Sequence, residues 1–274
     1  MTDLALRPLT LGEILDRTFS IYRRHFLLFV GIAAIPQIAV LAISLAQINA
    51  TGGDISPTLM VRFAWGLVSI VVAIAAWVFS QGGAINAVSE IYLGRTITVG
   101  EAMQRTASEF APLLGVLLVS GMAIFGATLL LIIPGIYVAC RALVSVPAAL
   151  VEQRGPVNAL SRSFELTKGF AGRSFLILLF AVVISIAIQL LISGPFTYLT
   201  LFSGADPARR QMWLQLNQVS SSIGAVLVSP ISLIATAVFY YDLRVRKEAF
   251  DLQMMMNPGS EATGGSTGSV SIVG

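Results

Sequence analysis

The chain has 274 residues, of which 56% are hydrophobic and only 11% charged, and its formal net charge is +3. Soluble domains carry roughly 25% charged residues, so this composition excludes an ordinary soluble protein and favours an integral membrane protein. The single cysteine, Cys140, and the single histidine, His25, exclude an intrachain disulfide, a zinc cluster of thiolates and catalysis by a histidine pair.

The first predicted element is an amphipathic helix that precedes the first apolar run. One helical face carries its apolar and weakly polar side chains, namely Leu11, Ile14, Leu15, Thr18 and Tyr22. Thr10 and Glu13 have the spacing of a capping box at its start. The apolar run begins only at Phe26, behind acidic as well as basic residues, which is atypical of a cleaved signal peptide. We expect this helix to lie at a membrane interface with its apolar side toward the acyl chains.

Six apolar runs are long enough to be membrane spans, since about 20 helical residues cross the ~30 Å hydrocarbon layer. They comprise residues 26–48, 63–88, 112–133, 136–151, 175–192 and 223–241. The fourth is short and contains Arg141, whose long side chain can reach the interface. We expect Arg141 and Glu152 to mark the two ends of this span, and Pro134-Gly135 to form the turn before it.

The basic residues are distributed unequally between the segments that connect these spans. Thirteen fall on one predicted side: Arg7, Arg17, Arg23, Arg24, Arg95, Arg105, Arg154, Arg162, Lys168, Arg173, Arg244, Arg246 and Lys247. The other side holds only Arg209 and Arg210, and Arg62 and Arg141 lie at span edges. Cytoplasmic flanks are enriched in Lys and Arg, which predicts a multi-pass protein with both termini in the cytoplasm. The preference for arginine over lysine favours a bacterial source, and therefore the inner (plasma) membrane.

An internal repeat divides the chain into three units. Residues 10–18 match residues 98–106 at five identical positions, and a looser third copy at 159–164 matches residues 14–19. Each copy precedes a pair of spans. This pattern predicts an all-α membrane protein with six transmembrane helices, arranged as three tandem units of an interfacial amphipathic helix plus a transmembrane hairpin. The membrane domain covers residues 1–252, with units at roughly 8–93, 94–151 and 154–250, and the Gly/Ser-rich residues 253–274 are a predicted disordered tail.

Two sets of residues are candidates for function. Arg17, Arg105 and Arg162 occupy equivalent positions in the three copies, and we expect them to contact anionic lipid of the cytoplasmic leaflet or a membrane protein partner. The candidate intramembrane polar site consists of Gln81, Asn86, Glu90 and Arg141, because polar groups inside a membrane are costly and often functional.

Two alternatives remain for the polar residues of the second span. They line a path for a solute, or the helix leaves the membrane near Val88 and Glu90 is simply solvated. The sequence offers no metal-binding, cofactor-binding or catalytic motif, and the basic residues beside the spans favour anionic lipid over nucleic acid as a partner.

Three segments of the chain resemble the family called the glycerophosphoryl diester phosphodiesterase membrane domain. They are LRPLTLGEILDRTFSIYRRHF at the start, IIPGIYVACRALVSVPAALVEQRGP with ALSRSFELTKG in the middle, and FYYDLRVRKEAFDL at the end. The resemblance implies membrane architecture. It does not imply phosphodiesterase activity, because the catalytic barrel of that family needs paired histidines and several carboxylates.

These observations predict a non-enzymatic membrane protein, acting as a scaffold or accessory subunit that organises lipid or a membrane partner. The alternative is a transporter or channel for a small or lipid-like solute.

Overall fold

The structure is a computed structural model that describes residues 8–51, 59–202 and 206–248. Regular secondary structure in these ranges is helical: α1 (Leu11–Arg24), α2 (Phe26–Thr51), α3 (Leu59–Tyr92), α4 (Val99–Ser108), α5 (Phe110–Leu130), α6 (Ile132–Ala142), α7 (Ser145–Val151), α8 (Pro156–Thr167), α9 (Ala171–Leu201) and α10 (Pro207–Glu248). The predicted tail at 253–274 lies outside the described residues.

Six helical segments are long and apolar enough to cross a membrane. They are Phe26–Thr51, Met60–Tyr92, Phe110–Leu130, Ile132–Val151, Ala171–Leu201 and Pro207–Glu248. Large apolar side chains on their outer surfaces are exposed, as at Met60, Leu130 and Ile133. Water would make so much exposed apolar surface unfavourable, whereas acyl chains solvate it. The prediction of an all-α, multi-pass membrane protein is confirmed.

The long helices α2, α3 and α10 pack against one another and α9 packs along α10, and these four helices are here called the bundle. The α5–α6 hairpin packs beside them against α3 and α9. The bundle core contains large side chains with almost no exposed surface, among them Phe29, Ile85, Ile234 and Phe239. In chain order, each of α1, α4 and α8 precedes a pair of the long segments.

The helices α1, α4, α7 and α8, together with the adjoining ends of α3 and α10, form a layer over one end of the bundle, here called the capped end. The helices α1, α4 and α8 bury equivalent positions completely, namely Ile14 and Thr18, Ala102 and Thr106, and Ala159 and Ser163. Their apolar faces therefore pack against protein, and the prediction that these faces contact acyl chains is wrong for the buried positions. The physical reason is that the bundle end itself offers apolar surface, as at Val88 and Ala237.

The starts of α1 and α4 are fixed by the two predicted capping boxes, which are confirmed. The Thr10 hydroxyl accepts a hydrogen bond from the Glu13 amide at 3.3 Å, and the Glu13 carboxylate accepts one from the Thr10 amide at 2.7 Å. Thr98 and Glu101 form the same pair of bonds at the same distances. Each box satisfies two backbone donors that a helix start leaves without partners.

The turn between α5 and α6 differs from the prediction. The chain reverses at Leu131, whose backbone is extended (φ −162°, ψ 151°), and Pro134 lies in the first turn of α6. Proline is tolerated there because a first-turn N–H has no intrahelical acceptor. The residues at this turn are all large, aliphatic and exposed: Leu129, Leu130, Leu131, Ile132 and Ile133. The predicted turn at Pro134-Gly135 is therefore wrong.

Glycine at position 135 allows α5 and α6 to approach closely. A Cβ atom at Gly135 would lie 2.1 Å from the Thr128 hydroxyl oxygen, so a larger residue would push the two helices apart.

After α6, the helix breaks between Ala142 and Ser145, and α7 turns into the protein, where its residues 145–149 are buried.

Candidate functional site

The arginines at equivalent repeat positions have three different environments at the capped end. The Arg17 guanidinium lies 5.0 Å from the centre of the Tyr92 ring, close enough for a cation–π interaction. Tyr92 in turn stacks on Tyr241 of α10, with ring centres 4.6 Å apart. Arg17 thus connects α1 to the ends of α3 and α10.

Arg105 forms an ion pair with Glu90 near the end of α3. Its Nη1 atom lies 2.5 Å from the Glu90 carboxylate, and Arg95 approaches the same carboxylate at 4.0 Å. The Glu90 side chain is only 12% exposed, whereas that of Arg105 is 53% exposed. Glu90 is therefore ion-paired, and the interpretation that it is simply solvated is wrong.

Arg162 is the most enclosed of the three. Its Nε atom donates to both oxygens of Glu152 at 3.1 and 3.0 Å, and its other nitrogens contact Glu165 at 3.4 Å and Glu248. Only 15% of its side chain is exposed. This geometry favours a structural role for Arg162, in which it joins α8 to α10.

Glu152 is a second carboxylate that serves several partners. Besides its contact with Arg162, the Glu152 carboxylate forms an ion pair with the Nε atom of Arg154 at 2.7 Å. It also accepts a hydrogen bond from the Tyr240 hydroxyl at 3.0 Å. Both Glu90 and Glu152 therefore lie between two guanidinium groups. The Glu90 cluster keeps an excess of positive charge, whereas Arg162 of the Glu152 cluster also meets Glu165 and Glu248. Charge-assisted contacts of this kind are stronger than neutral hydrogen bonds.

Asp242 is the centre of a buried ionic cluster that the sequence analysis did not single out. Its side chain is completely buried and accepts bonds from the Leu9 amide at 2.7 Å, from Arg173 at 3.3 Å and from Arg246 at 2.9 Å. Both arginines also donate to the Leu9 carbonyl. The sequence feature that could have identified Asp242 is its position as an acidic residue beside arginines at the end of the last apolar run.

The four candidate intramembrane residues do not form one site. Asn86 donates to the Thr106 hydroxyl at 3.4 Å and Glu90 pairs with Arg105, so both face α4. Arg141 instead faces α8, and Gln81 faces a cleft on another side of α3. Because the residues separate in this way, they do not line one continuous polar path.

Arg141 holds the end of α6 against α8. It donates to the Thr167 hydroxyl at 3.0 Å and to the Phe164 carbonyl, while Glu152 contacts Arg162 of the same helix. Both Arg141 and Glu152 thus meet one short stretch of α8. The prediction that they mark opposite ends of a span is wrong, because the helix break after Ala142 brings the two residues to the same end.

The cleft at Gln81 has a volume of about 370 Å³ and lies between α3, α9 and α10. Its lining includes the hydroxyl groups of Ser185, Ser232 and Thr236, and Leu143 from the helix break closes one side. Val182 and Ile186 also line it and are half-exposed, so the cleft opens toward the lipid-facing surface.

A second cavity, of about 480 Å³, lies at the capped end between α5 and the α7–α8 connection. Glu109 lines it, and burial raises the pKa of this carboxyl group, with the Asn86 side chain and Arg105 acting in the opposite direction. One Glu109 oxygen is buried without a hydrogen-bond partner in the described part of the chain. Gln153, on the other wall, has a left-handed backbone with φ of 49°.

Within residues 8–51, 59–202 and 206–248, no group of three His, Cys, Asp or Glu side chains is placed to hold a metal ion. Comparison of the chain with protein-family models, curated proteins and solved structures gave no match. The resemblance to the glycerophosphoryl diester phosphodiesterase membrane domain therefore stays a prediction.

Proposed function

We propose that this chain is a non-enzymatic protein of a bacterial inner (plasma) membrane, with both termini in the cytoplasm, that serves as a scaffold or accessory subunit organising anionic lipid or a membrane protein partner. The observation that carries the proposal is the construction of the capped end. Interfacial helices are fixed to the bundle by shared ion pairs, and several arginines of those pairs still face outward.

The outward-facing arginines are Arg95, Arg105 and Arg154, whose side chains are 54%, 53% and 44% exposed. Arg95 and Arg105 share the single carboxylate of Glu90, which neutralises only part of their positive charge. Arg154 shares Glu152 with Arg162, which also meets Glu165 and Glu248. A phosphate group can accept further hydrogen bonds from these guanidinium groups. Anionic lipid headgroups supply phosphates at a membrane surface, where each basic residue contributes roughly 1 kcal/mol of attraction.

Among the three repeat arginines, this proposal gives the direct lipid or partner contact to Arg105. Arg162 is surrounded by carboxylates and mostly covered. Arg17 is partly covered where it lies over Tyr92. These two contribute by holding α1 and α8 in place.

Native mass spectrometry of the protein, extracted gently from its own membrane, tests the proposal. We expect an anionic lipid or a protein partner to be retained in a fixed ratio, and Arg105→Gln to reduce this retention. Arg209→Gln removes one exposed arginine on the predicted outer side and serves as the matched control, so it should retain wild-type levels. A bare wild-type chain, or equal retention by Arg105→Gln, would contradict the proposal.

Transport of a small or lipid-like solute is the second candidate function, and the cleft at Gln81 is the observation that favours it. Polar side chains in a cleft between spans are a feature of solute sites in transporters. Flux measurements in reconstituted vesicles would distinguish the candidates. Saturable uptake that Gln81→Leu abolishes would support transport, whereas silence across a broad solute panel would count against it.

A further inference from the structure

The 480 Å³ cavity at the capped end lies beside the ends of two membrane spans. Its acidic residue, Glu109, directly precedes the span Phe110–Leu130, and its basic residue, Arg154, follows the span Ile132–Val151 by three positions. Charged residues that flank spans in this way lie at the membrane surface, because the hydrocarbon layer disfavours them. Arg154 and the adjacent Gly155 are exposed, so the cavity opens at the level of the lipid headgroups.

Arg154 brings unused hydrogen-bond donors to this cavity. Its ion pair with Glu152 runs through the Nε atom at 2.7 Å, and its two Nη groups make no hydrogen bond to any residue that the structure describes. The Glu152 carboxylate therefore restrains the guanidinium group and leaves its Nη edge open. A guanidinium edge of this kind matches the geometry of a phosphate group.

The start of α8 adds positive potential on the same side of the cavity. Gly155 and Pro156 line the cavity and are the N-cap and the first residue of this helix. Among the described residues, no side chain caps this start, and proline has no N–H of its own. A helix N-terminus carries partial positive charge and attracts anions. Together with Arg154, it makes this side of the cavity suitable for a phosphate.

Glu109 supplies the opposite charge from the α5 side of the cavity. One of its oxygens is buried without a hydrogen-bond partner in the part of the chain that the structure describes. Burial raises the pKa of this carboxyl group, and Asn86 and Arg105 act in the opposite direction without offsetting it. A cation with N–H donors in the cavity would provide a partner and stabilise the charged carboxylate.

The rest of the lining is mostly apolar and includes Pro112, Leu113, Ala149 and Leu150. The volume falls within the ~300–1,000 Å³ typical of ligand pockets, which are largely apolar with a few polar groups that fix orientation. A matching ligand therefore combines a phosphate, a nearby ammonium group and an apolar part. Phosphatidylethanolamine has this combination, because an ethylene group separates its phosphate from a primary ammonium.

We propose that this cavity binds the headgroup of phosphatidylethanolamine, with the phosphate on Arg154 and the start of α8 and the ammonium on Glu109. The inference rests on the proposed lipid-organising function and names a lipid class and a position for it. Soluble compounds also carry the phosphoethanolamine group. The lipid is the favoured source because the cavity adjoins two membrane spans and has apolar side chains in its lining.

Native mass spectrometry of the delipidated full-length protein, titrated with defined lipids, tests the inference. The lipids are phosphatidylethanolamine and phosphatidylcholine with the same acyl chains. Phosphatidylcholine keeps the phosphate, but its trimethylated ammonium has no N–H to donate. We expect wild type to bind phosphatidylethanolamine about tenfold more tightly, the effect of a hydrogen bond to a charged group.

Two variants should change lipid binding in different ways. Glu109→Gln should remove most of the preference for phosphatidylethanolamine and leave phosphatidylcholine binding unchanged, because only the ammonium contact is weakened. Arg154→Gln should weaken the binding of both lipids by a similar factor, since both contain the phosphate. Arg95→Gln is the matched control, because Arg95 is similarly exposed and also shares a carboxylate, but it does not line the cavity.

Equal affinity of wild type for the two lipids would overturn the inference. A preference for phosphatidylethanolamine that Glu109→Gln leaves unchanged would overturn it as well.

A steric variant tests the position of the site without changing a charge. Leu150→Trp fills the cavity and should weaken the binding of both lipids. Val157→Trp is its control, because Val157 is 67% exposed and does not line the cavity. Lipid binding by Leu150→Trp at the wild-type level would contradict the proposed position.

Glycerophosphoethanolamine, which lacks acyl chains, tests the source of the ligand. We expect it not to displace phosphatidylethanolamine when the two are present at equal concentration. Displacement at equal concentration would assign the cavity to a soluble ligand and overturn the lipid proposal.

The outcome separates this inference from the proposed function. If wild type retains an anionic lipid or a partner through Arg105 but does not prefer phosphatidylethanolamine, only the inference fails. If the preference is present and depends on Glu109, while no lipid or partner retained from the native membrane depends on Arg105, only the role given to Arg105 in the proposed function fails.

Discussion

The backbone amide of Leu9 donates a hydrogen bond of 2.7 Å to the carboxylate of Asp242, which lies 233 residues later in the chain. Arg173 and Arg246 complete the arrangement by contacting both Asp242 and the Leu9 carbonyl. The segment before α1 is thereby attached to α9 and α10 through one buried carboxylate.

Replacing Asp242 with asparagine should destabilise the protein strongly. The change removes the negative charge that compensates two arginines, and breaking a buried ionic cluster in this way costs about 3–5 kcal/mol. A thermal unfolding scan in detergent should show a clear drop in Tm. Asp16→Asn, at an exposed position of α1, should leave Tm nearly unchanged, and equal effects of the two variants would contradict the assignment.

Arg162→Gln should reduce stability through the carboxylates that it leaves behind. Glu152 is only 10% exposed and would lose a two-point contact, so we expect a loss of about 2–4 kcal/mol. Lys168→Gln removes one positive charge from an exposed position just after the same helix. Chemical denaturation of both variants provides the measurement. A shift that is no larger for Arg162→Gln than for Lys168→Gln would show that Arg162 is not structural.

The buried repeat position of α4 should not tolerate a larger side chain. Ala102 has no exposed surface, and extra methylene groups in a packed core cost about 1–3 kcal/mol. Ala102→Leu should therefore lower Tm, whereas Ala107→Leu, at an exposed position of the same helix, should have little effect. If both variants unfold like wild type, the contact between α4 and the bundle is looser than the burial indicates.

Ionisation of Glu109 and ionisation of Glu101 should change the stability of the protein in opposite directions as the pH rises. Burial raises the pKa of Glu109 above its ordinary value, so the folded state holds this proton more tightly and stability is lost as pH rises from the ordinary to the raised pKa. The Thr98 backbone amide lowers the pKa of Glu101, so its contribution is present above the ordinary pKa and is lost as pH falls through the lowered one.

Measurements of Tm between pH 3 and pH 7 test both predicted directions. This range extends from about one unit below to a few units above the ordinary glutamate pKa. Relative to wild type, Glu109→Gln should gain stability as pH rises, and Glu101→Gln should lose it. Parallel curves for the two variants would mean that the two carboxyl groups do not differ as described.

The α5–α6 turn should be shielded from aqueous reagents. Its residues Leu129 to Ile133 are all large, aliphatic and exposed on the protein surface, which is favourable in contact with acyl chains and unfavourable in water. In a Cys140→Ser background, we expect Leu131→Cys to react slowly with a membrane-impermeant maleimide added on either side. Asp206→Cys, at an exposed position before α10, should react quickly from one side. Fast labelling at residue 131 would place this turn in water.

The sequence was sufficient to predict features that depend on local patterns. Apolar runs located the six membrane segments, and the spacing of Thr10 from Glu13 located the start of α1, because both signals lie within a few helical turns. The contact of Arg162 with Glu248 could not be predicted in this way. Glu248 is 86 positions away in the sequence and is brought near only by the packing of α8 against α10.

The interrupted fourth segment shows a second limit of the sequence. Hydropathy averaged over residues 136–151 indicated one span, but the average does not reveal that the helix breaks after Ala142. The break depends on what surrounds it. Arg141 finds acceptors on α8 and the residues of α7 are buried, and both are tertiary effects.

The bond between Leu9 and Asp242 also sets an order of events during biosynthesis. A ribosome adds about 5–20 residues per second, so on the order of tens of seconds pass between the synthesis of Leu9 and that of Asp242. Until α10 has been inserted, the segment before α1 lacks its carboxylate partner, and Arg173 lacks the same one. A nascent or truncated chain that ends before residue 242 therefore lacks the contact that holds Leu9 against α10.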